Sequence, residues 1–443
     1  MGIQSAIAIR RELPRRLGLL DSTSIVVGTM IGSAIFLVPN TVAQNVPSVP
    51  MIVAMWLLAG VLSLFGALAY AELGAMMPAT GGQYVYLREA WGPLWGFLCG
   101  WTFFLAARSG GTAAVAAGFS IYFSHFVPMP PALARTLAAA LILALTLVNY
   151  RGVRLGATVQ NVFTILKVLG LVMLIGSTLA GEGHAVSQPP VRPSELSAAH
   201  FGRAMMACIW AYNGWFAISL VGGEIKDPQR NLPRSIILGT ALVTLVYVLA
   251  NIGYLRTLTI AEIAGTERVA ATAAAHTMGS IGSAFVALTI LVSTFGTLNG
   301  NIMTAPRLYF AQARDGLFFR RFGNIHAAFE TPHISILGQG VWSAILALTG
   351  TYWQLVTFAT FTFWIFYGMT VAGLLVLRRK RPHAPRPYHM FGYPITPVLF
   401  VGMAGWLVIF AFITAPLTSA IGVCILGTGV PAYYIWRRRA QPS

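Results

Sequence analysis

Apolar residues run along this chain in long stretches separated by short polar connectors. A helix crossing a hydrocarbon core needs about 20 such residues, and about twelve stretches of that length can be marked off. They fall near Leu20–Gln44, Met51–Met77, Trp91–Phe126, Pro131–Tyr150, Leu155–Ala180 and Ala198–Gly222 in the first half. The second half adds Leu232–Leu255, Ala275–Arg314, Ile334–Gly350, Tyr352–Leu377, Phe391–Thr414 and Pro416–Trp436. Several exceed a bilayer and predict tilt or extension beyond it. The connectors carry turn chemistry, as in Pro47-Ser48-Val49-Pro50, Pro128-Met129-Pro130-Pro131 and Pro189-Pro190. No segment reads as a separate soluble domain, so the pattern predicts an all-α polytopic membrane protein.

Two stretches interrupt their own pattern. Span one contains Gly28-Thr29-Met30-Ile31-Gly32-Ser33-Ala34-Ile35-Phe36, and span six contains Cys208-Ile209-Trp210-Ala211-Tyr212-Asn213-Gly214-Trp215-Phe216. A helix broken at mid-depth frees backbone N–H and C=O groups that hydrocarbon cannot satisfy, unless they line a polar cavity. A surface of small residues for helix packing is the alternative for either stretch alone. Spans one and six hold matching positions in two five-helix units, one to five and six to ten. Paired interruptions of that kind point to a transporter site at the membrane midplane.

Composition confirms the class. The 443 residues are 56% hydrophobic and 9% charged, with mean hydropathy +0.72, which excludes an ordinary soluble domain. The net charge of +17 suggests nucleic acid until its placement is seen. With the N-terminus inside, the cytoplasmic connectors hold Arg10, Arg11, Arg15, Arg16, Arg88, Arg151 and Arg154. They also hold Lys226, Arg230, Arg234, Arg307, Arg314, Arg320, Arg321, the run Arg378 to Arg386, and Arg437 to Arg439. The other side keeps Arg135, Arg192, Arg203, Arg256 and Arg268. That imbalance is a topology signal: both termini are cytoplasmic, the partner surface is the lipid bilayer, and no nucleic acid is expected. The N-terminal region lacks the form of a cleavable signal. Cys99, Cys208 and Cys424 all lie in apolar runs and read as buried thiols without a disulfide framework. No metal spacing or cofactor motif is present; His184, His200, His276, His326, His333, His383 and His389 read as solvated connector residues. No nucleophile–base pair or carboxylate dyad marks an enzyme.

The motifs that surround these features resemble those of the amino acid–polyamine–organocation transporters, and within them the bacterial relatives of the L-type light chains of heteromeric amino acid transporters. The resemblance is carried by the two interrupted stretches, by Ala69-Tyr70-Ala71-Glu72-Leu73-Gly74 with Gly81-Gly82-Gln83-Tyr84, and by Gln160 through Lys167. It continues in Glu224 with Asp227-Pro228-Gln229-Arg230-Asn231-Leu232-Pro233, and in Phe295-Gly296-Thr297-Leu298-Asn299-Gly300 with Pro306-Arg307-Leu308. It implies a LeuT-type 5+5 inverted repeat, broken helices 1 and 6, two additional helices, and alternating access. The resulting division is a segment 1–19, a transport core 20–377, a basic connector 378–390, two helices in 391–436 and a tail 437–443.

Site chemistry can be argued from the residues. A zwitterionic substrate needs N–H donors for its carboxylate and acceptors for its ammonium. The start of the second half of helix one offers the N–H groups of Ser33, Ala34 and Ile35, with the Ser33 hydroxyl; the frayed first halves offer carbonyls of Met30, Trp210 and Asn213. Resemblance makes Trp210 an aromatic gate over the substrate. In the resembled family glycine is usual where Ala34 stands and a small residue common where Asn213 stands, and these departures favour small or medium neutral substrates. No acid lies in the apolar part of the pocket to pair with a cationic side chain.

Lys167 is an ammonium at bilayer depth, expected to face inward with partners, the alternative being a side chain that snorkels to the interface. In the resembled family a lysine there lies near the sodium position of sodium-coupled relatives. It would bridge helix one, near Gly28 or Thr29, to helix eight, near Ser293 or Thr294, and make the carrier sodium-independent. Glu224 is expected to pair with Arg15 or Arg16 when the inner side closes. Arg108 receives no role. The connector His125 to Ala132 has no cysteine, so no disulfide-linked ancillary subunit is expected. The sequence thus predicts a sodium-independent exchanger of neutral L-amino acids in a bacterial inner membrane. A proton-coupled or facilitated uptake carrier and a non-translocating sensor are the alternatives.

Overall fold

The computed structural model describes residues 12–124, 126–181, 197–350 and 352–440. Arg10, Arg11, His125, His184 and Arg192 lie outside the described residues.

The first span is two helices, α1 (Leu19–Met30) and α2 (Ala34–Asn45), bent by 42°. The second, α3 (Val49–Met76), starts where the Ser48 side chain accepts the Met51 N–H and Pro50 occupies the first turn. A short helix, α4 (Gln83–Trp91), precedes the third span, which is α5 (Pro93–Thr102), a π-helical turn (Phe103–Ala107) and α6 (Arg108–Phe123). Spans four and five are α7 (Pro131–Tyr150) and α8 (Val153–Ala180). Span six is broken into α9 (Ala198–Ala211) and the short α10 (Ala217–Leu220). Then come α11 (Pro228–Thr257), the connector helices α12 (Ile260–Gly265) and α13 (Val269–Met278), and α14 (Ser280–Thr304) with α15 (Pro306–Arg314). The chain closes with α16 (His333–Thr349), α17 (Tyr352–Lys380), α18 (Ile395–Thr414) and α19 (Pro416–Ala440). Among the described residues, seven spans are long and apolar enough to cross a membrane, and the bent pair makes an eighth.

Among the expected boundaries that move, two turn on a glycine. Span three starts at Pro93 and not Trp91, because Gly92 turns the chain at φ +101°. Span eight starts at Ser280, since Gly279 at φ +66° separates it from α13. Apolar continuity hides both turns, which depend on a left-handed backbone that glycine adopts without strain.

The interrupted first span lies at the centre: α1 packs on α8, α11 and α14, and α2 on α9. α8 shows how the bundle is sorted. It buries Gln160, Thr164 and Lys167 on one face and exposes Val162, Leu166, Leu169 and Met173 on another. Polar-in and apolar-out is the arrangement of a helix whose outer solvent is hydrocarbon. It also corrects the reading of Cys424, which is exposed on α19, unlike the buried Cys99 and Cys208. An apolar run in such a bundle includes the outward face, so apolarity does not imply burial.

Charge gathers at one end of the bundle. Glu72 on α3, fully buried, accepts from Arg378 Nε and Nη2 at 2.9 and 2.6 Å and from the Met390 N–H at 2.8 Å. Part of the basic connector is therefore folded onto α3. Arg381 pairs with Glu89, and Arg88 with Glu89 and Asp315. His326 and His333 are not simply solvated: they pack edge-on to Tyr150, and His326 Nδ1 accepts from the Ala328 and Phe329 N–H groups.

Candidate functional site

The first interruption spans Ile31 to Ser33. Ile31 is extended (φ −77°, ψ 96°), so the helix hydrogen-bond ladder cannot continue through it. Ser33, Ala34 and Ile35 open α2, and the first N–H groups of any helix have no partner within it. The Ser33 side chain makes no capping bond of its own.

The second interruption, Tyr212 to Phe216, turns at Gly214 (φ +127°), whose carbonyl accepts from Thr29 Oγ1 at 3.1 Å. A Cβ there would stand 2.7 Å from the main chain of Thr29, so only glycine lets the two breaks cross. Tyr247 on α11 joins them as well: its hydroxyl donates to Met30 O at 3.0 Å and lies 3.3 Å from Ala211 O. Gly214→Ala is expected to lose at least the upper end of the roughly 1–3 kcal/mol that backbone strain costs, with the clash added. A thermal melt of the purified variant checks this; an unchanged melting temperature would show that the crossing has slack.

Between the breaks lies a cavity of about 110 Å³. At roughly 10–15 Å³ per water it has room for a small or medium amino acid. Met30, Ser33, Ala34, Trp210 and Asn213 line it, as do Thr29, Arg108, Thr297, Asn301 and Phe363. Ile35 is buried off the wall, and Gly28, Lys167, Ser293, Thr294 and Glu224 stand outside it. Of the expected acceptors, Met30 O already takes the Tyr247 hydroxyl, and Trp210 O takes the Asn213 N–H at 3.1 Å. Each carbonyl has a second lone pair to offer. The Asn213 amide does not hang free: its Oδ1 accepts from Tyr367 OH at 2.9 Å.

Lys167 is fully buried behind the first break. Its Nζ donates to Gly28 O (2.9 Å), Ile31 O (2.7 Å) and Ser293 O (2.8 Å), which uses all three ammonium hydrogens. Thr297 Oγ1 lies 3.2 Å away and stands 2.9 Å from each of the same carbonyls of Gly28 and Ile31, with one hydrogen to donate. Of the expected neighbours, Gly28 and Ser293 are the ones that meet the ammonium. Thr29 Oγ1 bonds back to Ile25 O and across to Gly214 O, and Thr294 Oγ1 bonds to Ile290 O, so neither meets the ammonium. Adjacent residues point to different faces of a helix. The i, i+4 partner of Ser293 is Thr297, and helical spacing could have found it.

Glu224 is corrected too. Its carboxylate pairs with Arg307 on α15, Nε–Oε1 2.8 Å and Nη2–Oε2 3.2 Å, both side chains buried. Arg16 pairs instead with Glu330. The N-terminal segment still reaches Glu224 by main chain, since the N–H groups of Arg16 and Leu17 donate to its carbonyl at 2.8 and 2.9 Å. Arg307 is thus a buried partner and not a solvated connector charge. Tyr247, Arg108, Thr297, Asn301 and Phe363 are site residues that sequence reasoning misses. Among the described residues no group of His, Cys, Asp and Glu could hold a metal.

Comparison with known proteins identifies the family. The amino acid permease family model matches residues 17–431. The large neutral amino acids transporter small subunit 2 of Rattus norvegicus is 35% identical, over 98% of this chain and 83% of its own length. The serine/threonine exchanger SteT of Bacillus subtilis is 33% identical, over 96% of this chain and 98% of its own. The human b(0,+)-type amino acid transporter 1 is 34% identical, over 96% and 88% respectively. The all-helical fold, the apolar spans, the two interrupted helices around a cavity and these matches over nearly the whole chain place it in the amino acid permease family, as an integral membrane transporter and not an enzyme.

Proposed function

We propose that this protein is a sodium-independent exchanger of L-amino acids, small and medium neutral ones among them, working by alternating access on a 5+5 inverted repeat. The observation that carries the reading is the pair of helix breaks facing one cavity, with the Lys167 ammonium bound behind the first. The substrate carboxylate meets the N–H groups of Ser33, Ala34 and Ile35 and the Ser33 hydroxyl. Its ammonium meets carbonyls of Met30, Trp210 and Asn213, and the Trp210 ring covers the site. Recognition by backbone suits what all α-amino acids share, and leaves the side chain to the far wall.

Lys167 supports sodium independence: its ammonium supplies a positive charge between α1, α8 and α14 and bonds the carbonyls a metal ion would need there. Glu224 with Arg307 latches the inner side. The protein sits in a bacterial plasma membrane with both termini cytoplasmic, and needs no disulfide-linked ancillary subunit. The names of two relatives, an exchanger and a neutral amino acid transporter subunit, agree with this.

The test is uptake of radiolabelled neutral amino acids into proteoliposomes, with and without unlabelled amino acid inside, in choline buffer. Exchange predicts uptake in preloaded vesicles only, at a rate that sodium does not raise. Equal uptake into empty vesicles would indicate a facilitated or, with a pH gradient, a proton-coupled carrier. Binding without uptake in either would indicate a sensor.

A further inference from the structure

Arg320 and Arg321 play no part in the site described above, yet the fold sets them beside an apolar groove. They belong to the 3-10 turn Arg320–Gly323, between α15 and α16, and both are exposed. The turn follows Asp315, which pairs with Arg88, so it lies at the charged end of the bundle. The two acids of this connector are engaged elsewhere, Asp315 with Arg88 and Glu330 with Arg16. Among the described residues no ion pair includes Arg320 or Arg321.

The same turn carries Phe322, which forms one wall of a groove of about 440 Å³. Ile334, Leu337, Val341 and Ile345 form another, recurring every three or four residues along one face of α16. Val341 and Ile345 are exposed, so this face is the outer one, while Ser335, Ile336, Gln339 and Gly340 are buried behind it. Three contacts fix the shape of the groove. Ser335 Oγ donates to Phe322 O at 2.9 Å and ties the arginine-bearing turn to the start of α16. A Cβ on Gly338 would stand 2.5 Å from the Phe322 ring, so glycine lets the ring close against the helix. Trp342 completes the lining, and its indole N–H is spent on Leu105 O at 2.9 Å. The groove thus offers an occupant apolar surface only.

Length and charge name that occupant. From Ile334 to Ile345 the helix advances about 16 Å at 1.5 Å per residue. That is about half of a hydrocarbon core of roughly 30 Å, the depth of one leaflet. An acyl chain lying along α16 fills it, and the phosphate above that chain stands at the level of the turn. Arginine forks match phosphate geometry. A zwitterionic headgroup brings its own cation to its phosphate, so two arginines without carboxylate partners favour a lipid of net negative charge.

We propose that α16 and the turn Arg320–Gly323 bind one anionic glycerophospholipid, its chain in the groove and its phosphate on the two arginines. Under the proposed topology the lipid belongs to the cytoplasmic leaflet. The site is separate from the transport cavity and does not depend on which amino acid is carried.

Native mass spectrometry of the delipidated protein, titrated with phosphatidylglycerol or with phosphatidylcholine of the same chains, tests this. The first phosphatidylglycerol is expected to bind at least about tenfold more tightly than phosphatidylcholine, within what two arginines at a lipid surface contribute. Arg320→Gln with Arg321→Gln is expected to abolish that preference. Arg151→Gln with Arg154→Gln, which removes another exposed connector pair, is expected to leave it unchanged. Val341→Trp fills the groove from its exposed face and is expected to weaken both lipids. Soluble glycerophosphoglycerol, the headgroup without chains, is expected not to compete. Equal binding of the two lipids overturns the proposal, and so does a preference that survives in the Arg320 and Arg321 variant. A preference that falls alike in both arginine variants also overturns it, because that is annular lipid drawn by net charge. Competition by the headgroup alone, with binding intact in Val341→Trp, would mean an anion site without a place for the chain. If the Arg320 and Arg321 variant fails to fold, Val341→Trp and the headgroup competition decide.

Discussion

Lys167→Met is expected to reduce exchange by at least about a hundredfold while the protein still folds. Methionine matches the lysine stem in bulk but donates nothing, so the carbonyls of Gly28, Ile31 and Ser293 lose a shared, charge-assisted donor. A hydrogen bond to a charged group contributes roughly 1.5–3 kcal/mol. Much of that returns as the cost of burying the ammonium disappears, so folding suffers less than the geometry of the break. The break is what fails, because only the neutral hydroxyls of Ser293 and Thr297 remain to hold Ile31 to α14, and Thr297 alone to hold Gly28. Arginine offers no rescue. A Cβ on Gly296 would already sit 3.2 Å from Lys167 Nζ, a measure of how closely α14 abuts the ammonium, and a planar guanidinium needs more space. Exchange rates in proteoliposomes, with a melting curve on the same preparation, check this. Exchange within about tenfold of wild type would show that the ammonium is only helix glue.

Arg307→Met is expected to destabilise the protein by about 3–5 kcal/mol, the usual cost of leaving one partner of a buried ion pair alone. Glu224 would remain fully buried with neither Nε nor Nη2 opposite it. Adding Glu224→Gln should restore a large part of the loss, because the orphaned charge is then gone. A double-mutant cycle on unfolding in detergent measures that coupling, and simple additivity of the two losses would mean the pair is not coupled. Exchange by either single variant is expected to fall as well. The pair ties α15 to the connector after the broken span six, and the same connector holds the N-terminal segment through the Glu224 carbonyl. Loosening it favours whichever state has that end open.

Where sequence and structure disagree, one cause recurs. Topology brings Arg15 and Arg16 to the same side as Glu224, which makes them its expected partners. Its actual partner lies 83 residues away in sequence, and three arginines compete for one carboxylate by geometry alone. Arg108 is visible in the sequence as a charge in an apolar span. Its face is not visible, because the π turn at Phe103–Ala107 inserts a residue just before it and rotates the rest of the helix by about 100°. Cys424 reads as buried because apolar neighbours suggest a core, yet in this bundle they also mark the outer surface.

The local features were legible. The spans, the breaks at Gly32 and Gly214, and the inward face of Lys167 follow from composition and spacing within one segment, where hydrocarbon tolerates few alternatives. The tertiary structure alone decided that Lys167 binds Ile31 and Thr297, that Tyr247 stitches the two breaks together, and which buried cations have partners. Those outcomes depend on distances between helices far apart in the chain, and hydrogen bonds and ion pairs are won or lost within an ångström.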